Sequence, residues 1–397
     1  MSYPLVKLGD IGEFKAGFGF PHEFQGKATG QYPFAKVGDI SSVGRSGKKY
    51  IKSAGNYVDN DDLPKLKAKP VPIGTIVFAK IGEAISQNFR AITSTEMLID
   101  NNSMGLIPNT AKIDVDYLYH FMCSLNLYPY AGATTVPALR KSVLEEITIP
   151  LPPLAEQKRI AAILDKADAI RRKRQQAIQL ADDFLRSVFL DMFGDPVTNP
   201  KGWEEVLLKD IADIRSGVTK GKKVDLDTAV TMPYMRVANV QDGYLDLSDI
   251  QEITVSQVDA EKYQLAKGDL LLTEGGDPDK LGRGYIWNCE IPNCIHQNHI
   301  FSVRLHEKNL IKPEFLSALI SSQRGKQYFL KVGKQTTGIA TINKTVLSEF
   351  KPFIPSVEKQ ESYLSITQKH KAILNKYKSS DSSLFNSLSQ KAFSGQL

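Results

Sequence analysis

The sequence predicts an α+β protein built from two tandem, pseudo-repeated α/β units separated by two long helices, which pair as an antiparallel coiled coil. Three observations carry this expectation. Residues 134–144, TTVPALRKSVL, return at 336–347 as TTGIATINKTVL. The likeness extends almost end to end, the signature of an internal repeat: YPLVKLGDIGEFKAG (3–17) lies over WEEVLLKDIADIRSG (203–217), matching at Val6/Val206, Leu8/Leu208, Asp10/Asp210, Ile11/Ile211 and Gly17/Gly217. Finally, each copy closes on a long stretch in which apolar residues recur every three or four positions.

Within each copy the elements follow in the same order. YPFAKVGDI (32–40) lies over MPYMRVANV (232–240), and PIGTIVFA (72–79) resembles AKGDLLLT (266–273) after a shift of six. Residues 1–150 and 201–353 hold short β-branched and aromatic runs such as TIVFAKI and DLLLT, punctuated by Gly, Pro and Asn. They predict strands and loops with a few helices. At the end of each unit the offset is 203, with Lys141/Lys344, Val143/Val346, Leu144/Leu347, Glu146/Glu349, Pro152/Pro355 and Gln157/Gln360 coinciding.

After IPLPPLAEQ the pattern switches. Residues 155–192 contain no Gly or Pro, and Ile160, Ile163/Leu164, Ala167, Ile170, Ala177/Ile178, Ala181, Phe184/Leu185 and Val188 form one helical stripe. The second copy repeats it after FIPSVEKQ with Tyr363, Ile366, His370, Ile373/Leu374, Tyr377, Leu384 and Leu388. Prolines punctuate the helix ends. Pairing across a pseudo-twofold axis predicts that 155–192 and 357–392 run antiparallel, with 171–174 beside 375–378; helices packed only on their own units are the alternative. The expected boundaries are 1–152 and 199–355 for the globular units, with spacer helices at 153–198 and 356–397.

Composition excludes several classes. Hydrophobic residues at 42% and charged ones at 24% are ordinary globular values, enough for a core in each copy. No basic segment followed by an apolar stretch opens MSYPLVKLGD and no apolar run approaches membrane-spanning length, so a cytoplasmic protein with no membrane association is expected. Three cysteines, Cys123, Cys289 and Cys294, cannot make a complete disulfide set. There are 24 basic against 21 acidic residues in 1–200 and 26 against 23 in 201–397, so each half carries +3. That balance points to an anionic partner touched by both copies.

Catalytic motifs are not apparent. GVTKGKK (217–223) lacks the spacing and hydroxyl of a phosphate-binding loop, and GFGF (17–20) is not followed by the third glycine of a dinucleotide fingerprint. Pro278–Asp279 followed by Glu290 suggests a nuclease centre only faintly, since Pro292 stands where a lysine would be needed; the acidic loop TEGGDPDK is read as a solvated turn or a base-edge acceptor. Cys289, Cys294, His296 and His299 crowd together in NCEIPNCIHQNHI like zinc ligands. In the first copy Asp100 and Ser103 are read as standing where the two histidines fall, with no cysteine nearby, and in a strand the histidines would face opposite ways. No metal site is therefore expected.

What the copies share is an inventory suited to reading DNA. Lys36 and Arg236 stand at strand ends, Asn101/Asn102 are set against Gln297/Asn298, Thr134/Thr135 against Thr336/Thr337, and Arg140/Lys141 against Asn343/Lys344. Lys220, Lys222 and Lys223 lie on a glycine loop suited to phosphates. Lys80, Arg90, Asn239 and Arg283 complete the candidate DNA-binding set. Asn and Gln can hold adenine bidentately, Arg and Lys guanine or phosphate, and Thr a phosphate or a thymine methyl. Each alone also fits a plain surface residue. RRKRQQ (171–176) opposite NKYK (375–378) would be repulsive inside a seam, so Arg171, Arg172 and Arg174 are expected to face an acidic partner, phosphates or solvent.

Taken together, TTVPALRKSVLEEITIPLPPLAEQKRI (134–160), FLDMFGDP (189–196), the GW opening the second unit, and FIPSVEKQ with LSQKAFSGQL (388–397) resemble the specificity subunit of type I restriction–modification systems over the whole chain. The second copy departs from the pattern at its helix start, PSVEKQESYL standing in place of PPLAEQKRI. The resemblance implies two target recognition domains, each reading one half of a split, asymmetric sequence in double-stranded DNA. It implies helices that dock modification (methyltransferase) subunits, and a complex that includes restriction/translocase subunits. S-adenosylmethionine and ATP would then be bound by those partners and none directly by this chain, which would be non-catalytic. A stand-alone bipartite DNA-binding regulator is the alternative, and an enzyme with an unrecognised active site a further one.

Overall fold

Each globular unit is closed by a strand pair that joins its beginning to its end. In the computed structural model, which describes residues 3–132, 135–221, 224–225, 229–276, 282–307, 310–332, 334–336, 339–378 and 382–397, Leu5–Lys7 pairs antiparallel with Thr148–Pro150. Glu204–Glu205 does the same with Phe353–Ile354. The chain divides into two units, Met1–Ile178 with Lys376–Leu397, and Gln179–Asn375. Behind each closing pair sits a one-turn helix, Leu8–Ile11 or Leu208–Ile211, whose first and last residues are buried. These are the matched apolar positions of the repeat, three residues apart and therefore on one helix face.

The larger sheet of the first unit has the strand order Gly12–Ala16, Ser103–Pro108, Ile76–Ala79, Arg90–Thr93, Tyr50–Ile51. Its neighbours are antiparallel except the last pair, which is parallel. Ile76–Ala79 is buried at every position, which is why it reads as an unbroken apolar run instead of an alternation. A second sheet, Tyr57–Val58, Tyr32–Ala35, Leu98–Ile99, joins an antiparallel to a parallel pair. The second unit repeats both sheets. One has the order Ala212–Ser216, Ile300–Leu305, Leu270–Thr273, Gly284–Ile286, and the other Gln251–Ser256, Ala229–Met235, Ile295–His296.

Strand pairing corrects the alignment of the two copies at one place. Ala35 pairs with Ile99 and Met235 with His296, while Ala16 pairs with Met104 and Ser216 with Phe301. Ile99 therefore corresponds to His296, Asp100 to Gln297, and Asn101/Asn102 to Asn298/His299, one residue away from the match suggested by side-chain type. Hydrogen-bond register, not chemical similarity, fixes which residues occupy equivalent places. Pairing also explains Gly17/Gly217. A Cβ there would lie 1.9 Å from the carbonyl oxygen of Asp100 in one unit and of His296 in the other, so only glycine lets the backbones pass.

The helix Leu154–Phe193 contributes to each unit in turn. In the first unit Ile160, Ala161 and Leu164 join a core with Tyr117, Phe121 and Leu144. In the second, Phe189 and Phe193 lie among Phe315, Phe353 and Tyr363. Each segment has a helix against it that runs the other way. In the second unit Val357–Lys378 places Tyr363 on Phe189 and Phe193, and His370 Nε2 3.8 Å from Asp182 Oδ1. In the first unit Ser382–Ser394 sets the Phe385 ring under the Arg171 guanidinium, 5.6 Å from the ring centroid, with Ala392 and Phe393 reaching the core of Ile160 and Leu164. Of the helix expected over 357–392, the described residues form Val357–Lys378 and Ser382–Ser394, and Arg171 lies against Phe385.

Gln157 and Gln360 anchor the helix starts. Both are fully buried. Gln157 accepts from Asp114 N (2.7 Å) and donates to the carbonyls of Lys112 (3.1 Å) and Pro152 (2.8 Å). Gln360 accepts from Lys312 N (2.9 Å) and donates to Leu310 (3.1 Å) and Pro355 (2.8 Å). An amide supplies both donors and an acceptor, so one side chain satisfies three buried backbone groups. Among the described residues no helix is long and apolar enough to cross a membrane.

Candidate nucleic-acid interface

In the first unit, the parallel strands Tyr32–Ala35 and Leu98–Ile99 end side by side, and the Asp100 N–H donates to the Ala35 carbonyl (3.0 Å). Lys36 follows one strand, and the turn of Asp100, Asn101 and Asn102 follows the other. The Lys36 N–H is held by Asp39 Oδ2 (2.8 Å), which starts the helix Val37–Arg45. Its ammonium donates to Gln25 Oε1 (2.8 Å) and sits 5.3 Å from the Phe20 ring centroid. Asp100 is buried and holds Ser103 Oγ (2.5 Å) and Asn102 Nδ2 (3.4 Å); burial raises its pKa although both bonds pull the other way. Asn101 and Asn102 are exposed.

Backbone hydrogen bonds carry this edge onward. The Lys80 N–H donates to the Asn102 carbonyl (2.8 Å), and the Lys80 carbonyl accepts from Leu139 N–H (2.9 Å). Thr135 and Arg140 are exposed on the segment so attached, and Lys141, also exposed, stands 3.6 Å from Glu145. Lys36, Lys80, Asn101, Asn102, Thr135 and Arg140 are therefore linked along one edge. Arg90 is not among them. It is 4% exposed, bonded to Phe89 O (2.9 Å) and Asn88 Oδ1 (2.6 Å) and laid over Phe78, and burial lowers its pKa to about 10. Its apolar cover leaves it no route to a phosphate, which removes it from the candidate set. Thr134 lies outside the described residues.

The second unit builds the same edge with different chemistry. Arg236 takes the place of Lys36, its N–H held by Asn239 Oδ1 (2.9 Å) and its guanidinium by Asp249 Oδ2 (2.6 Å). Asn239 is buried and also donates to the Asp246 and Asp249 carbonyls, so its role is to cap and not to face a ligand. The Gln297 N–H donates to Met235 O (2.9 Å), and the Asn298 N–H to Val218 O (3.0 Å), so the turn is bonded to the segment that carries the exposed Lys220 two residues further on. Arg283 accepts from Thr273 N–H at its carbonyl (3.1 Å) and donates to Gln241 Oε1 (3.4 Å). Asn343 caps the helix Lys344–Ser348 by accepting from Val346 N–H (2.9 Å), with Lys344 exposed beside it. Lys222, Lys223 and Thr337 lie outside the described residues; Thr336 belongs to the strand Lys334–Thr336.

Glu274 and His299 were not paired in the sequence reading, yet they occupy the places of Lys80 and Asn102. The Glu274 N–H donates to the His299 carbonyl (2.9 Å), the Glu274 carbonyl accepts from Ile342 N–H (2.8 Å), and His299 Nδ1 lies 2.5 Å from Glu274 Oε2. His296 points elsewhere. It is 1% exposed between the carbonyls of Tyr263 (3.1 Å) and Arg215 (3.3 Å), and burial pushes its pKa down to about 4. Among the described residues no three His, Cys, Asp or Glu side chains gather as a metal site.

The helix arginines are engaged inside the first unit. Arg171 chelates Asp168 Oδ1 (3.1 and 2.7 Å), while Arg172 reaches Asp168 Oδ2 (3.1 Å) and the Gly47 carbonyl. Asp168 thus offsets part of the repulsion between these two arginines, whose side chains stay 39% and 36% exposed. Arg174 is half-buried.

The family model described as the type I restriction modification DNA specificity domain matches residues 3–180 and again 200–381. The chain belongs to this family. Its two specificity domains fall on the two repeats, each with its own strand-end edge. Among curated relatives, the MjaIX specificity subunit of Methanocaldococcus jannaschii is 24% identical over 331 residues, covering 77% of this chain and 74% of the relative. The EcoKI specificity subunit of Escherichia coli strain K12 is 22% identical over 381 residues, covering 84% and 81%. The solved S subunit of a type I restriction–modification system from M. genitalium has a TM-score of 0.58 at 17% identity, over 99% of this chain and 96% of that one. A chain from work on complex assembly and conformational transition of the type I R-M system gives 0.52 at 16% identity, over 100% and 98%. At these identities the structural likeness shows the fold, while the doubled specificity domain shows the family.

Proposed function

We propose that this chain is the DNA-recognition specificity subunit of a type I restriction–modification complex, in which each repeat reads one half of a bipartite, asymmetric site in double-stranded DNA. One observation carries the reading: the doubled specificity domain coincides with a doubled edge that presents cations, amides and hydroxyls beside a tight strand-end turn. Such groups can hold phosphates and read base edges. Residues 1–152 and 199–355 serve as recognition domains and 153–198 and 356–397 as spacers. Lys36, Asn101, Asn102, Thr135 and Arg140 act in the first domain, and Arg236, Asn298, Lys220 and Lys344 in the second. The chain chooses the site without itself catalysing. Modification subunits supply S-adenosylmethionine chemistry and restriction subunits ATP-driven translocation, within the cytoplasm.

The test is a genetic one. Methylated adenines are mapped genome-wide in the host with and without this gene, and the chain is recovered from the host with its bound proteins. A split motif that loses methylation on deletion, with a methyltransferase subunit co-purifying, is the expected result. An unchanged methylation map would overturn the assignment.

A further inference from the structure

We propose that Glu274 and His299 are specificity-determining residues of the second domain, which select a cytosine in its half-site by accepting from the cytosine N4 amino group. The proposal rests on the reading of each repeat as a DNA-recognition domain. Its starting point is a substitution of chemistry at a conserved geometry within the chain. Lys80 N donates to Asn102 O and Leu139 N to Lys80 O in the first unit; Glu274 N donates to His299 O and Ile342 N to Glu274 O in the second. The same two backbone places carry a cation and an amide in one unit, and a carboxylate and an imidazole in the other.

The pair is accessible and organised. The His299 side chain is 55% exposed and that of Glu274 31%, with Nδ1 and Oε2 2.5 Å apart. Asn298 precedes His299 in the turn, and Arg283 is bonded to the neighbouring Thr273. A carboxylate on an edge that meets polyanionic DNA is repelled by phosphates; His299 offsets that repulsion at one oxygen and leaves the other free to face a donor on a base. With Oε2 held by His299 Nδ1, the carboxylate acceptor left to face a base is Glu274 Oε1, oriented by the imidazole. In the major groove cytosine shows a lone amino donor. Adenine sets an N7 acceptor beside its amino group, and guanine and thymine show acceptors. A carboxylate acceptor presented in this way therefore favours cytosine. In the first unit Lys80 and Asn102 offer donors at the same places, so the two domains differ in the base read there.

Replacing Glu274 by Gln keeps size and restores a donor, which converts an acceptor into the bidentate partner that suits adenine. The full chain is expressed with its partner subunits in the host, and methylated sites are sequenced for wild type, E274Q, H299A and K80A. The expected result is that E274Q relaxes a single C·G pair of one half-site towards A·T, discrimination falling about tenfold, while H299A weakens the same position and K80A affects only the other half-site. A wild-type split motif that E274Q and H299A leave unchanged, or that has no C·G pair in the affected half-site, overturns this proposal and leaves the specificity-subunit reading standing. A wild type that marks no split motif overturns both.

Discussion

Gln157 and Gln360 coincide in the sequence repeat, but only the structure shows why. Each amide closes three hydrogen bonds with no exposure to water, so truncation strands one backbone donor and two carbonyls at the start of a helix. An unsatisfied buried group costs about 1–3 kcal/mol, and Q157A or Q360A should each destabilise the protein by about 3 kcal/mol or more, read as a lower urea midpoint. Glu in the same place should be worse, since it removes the donors and buries a charge. His296 makes a second residue-scale prediction. Its folded pKa of about 4 lies below the ordinary 6.5, so the unfolded chain binds the proton more readily in that window. Stability is complete above pH 6.5 and falls as pH drops towards 4, by about 3 kcal/mol for this group. Denaturant melts from pH 7 to 4 should show that slope, and H296Q should flatten it. The crowding of Cys289, Cys294, His296 and His299 was legible in sequence as a temptation. What separates His296 from a metal centre is burial against two carbonyls, which letters do not display.

Helices were the most legible elements and their register the least. The periodic stripe of residues 155–192 marked one long helix, observed at Leu154–Phe193, because an uninterrupted 3.6-residue period has few other solutions. Antiparallel pairing followed from the repeat. The register did not, because a stripe spaced at three and four residues can slide by a heptad without exposing its apolar face. Asp168, three and four residues before Arg171 and Arg172, was a readable signal that these two arginines have a partner on their own helix. Within the second unit, Phe189 and Phe193 sit in an aromatic cluster whereas Phe184 is 57% exposed. F193A should cost about 3–5 kcal/mol and F184A less than about 0.5 kcal/mol, in chemical denaturation followed by tryptophan fluorescence of Trp203 and Trp287. Equal losses would show that the stripe is not divided in this way. Strand partners were the harder part: copies aligned by residue type slipped by one at Asn101/Asn102, because backbone pairing of Ile99 and His296 sets the register and leaves side-chain chemistry free to diverge.

At the scale of the molecule, the repeat predicts that reading is modular. The first unit has its own core around Phe14, Ile76 and Tyr117, and the second its own around Leu270, Phe301 and Phe315, with no residue in common. Each is closed by its own strand pair, so the beginning and end of a unit meet inside that unit. A segment bounded in this way can be exchanged with little disturbance of the second core, provided the replacement keeps the apolar face that meets Ile160, Ala161 and Leu164 and the backbone groups that hold Gln157. Base contacts are short-ranged, and each base pair is read by the side chains that touch it. Replacing residues 1–150 by the matching region of a related specificity subunit should therefore change one half-site and leave the other as it was, scored by sequencing methylated adenines in cells carrying the chimera. Alteration of both half-sites would mean that one domain's reading depends on the other's side chains, and the case for two independent readers would fall with it. A new first half-site beside an intact second one would locate sequence choice within single units, where the Lys80/Asn102 and Glu274/His299 places already differ in chemistry on the same backbone frame.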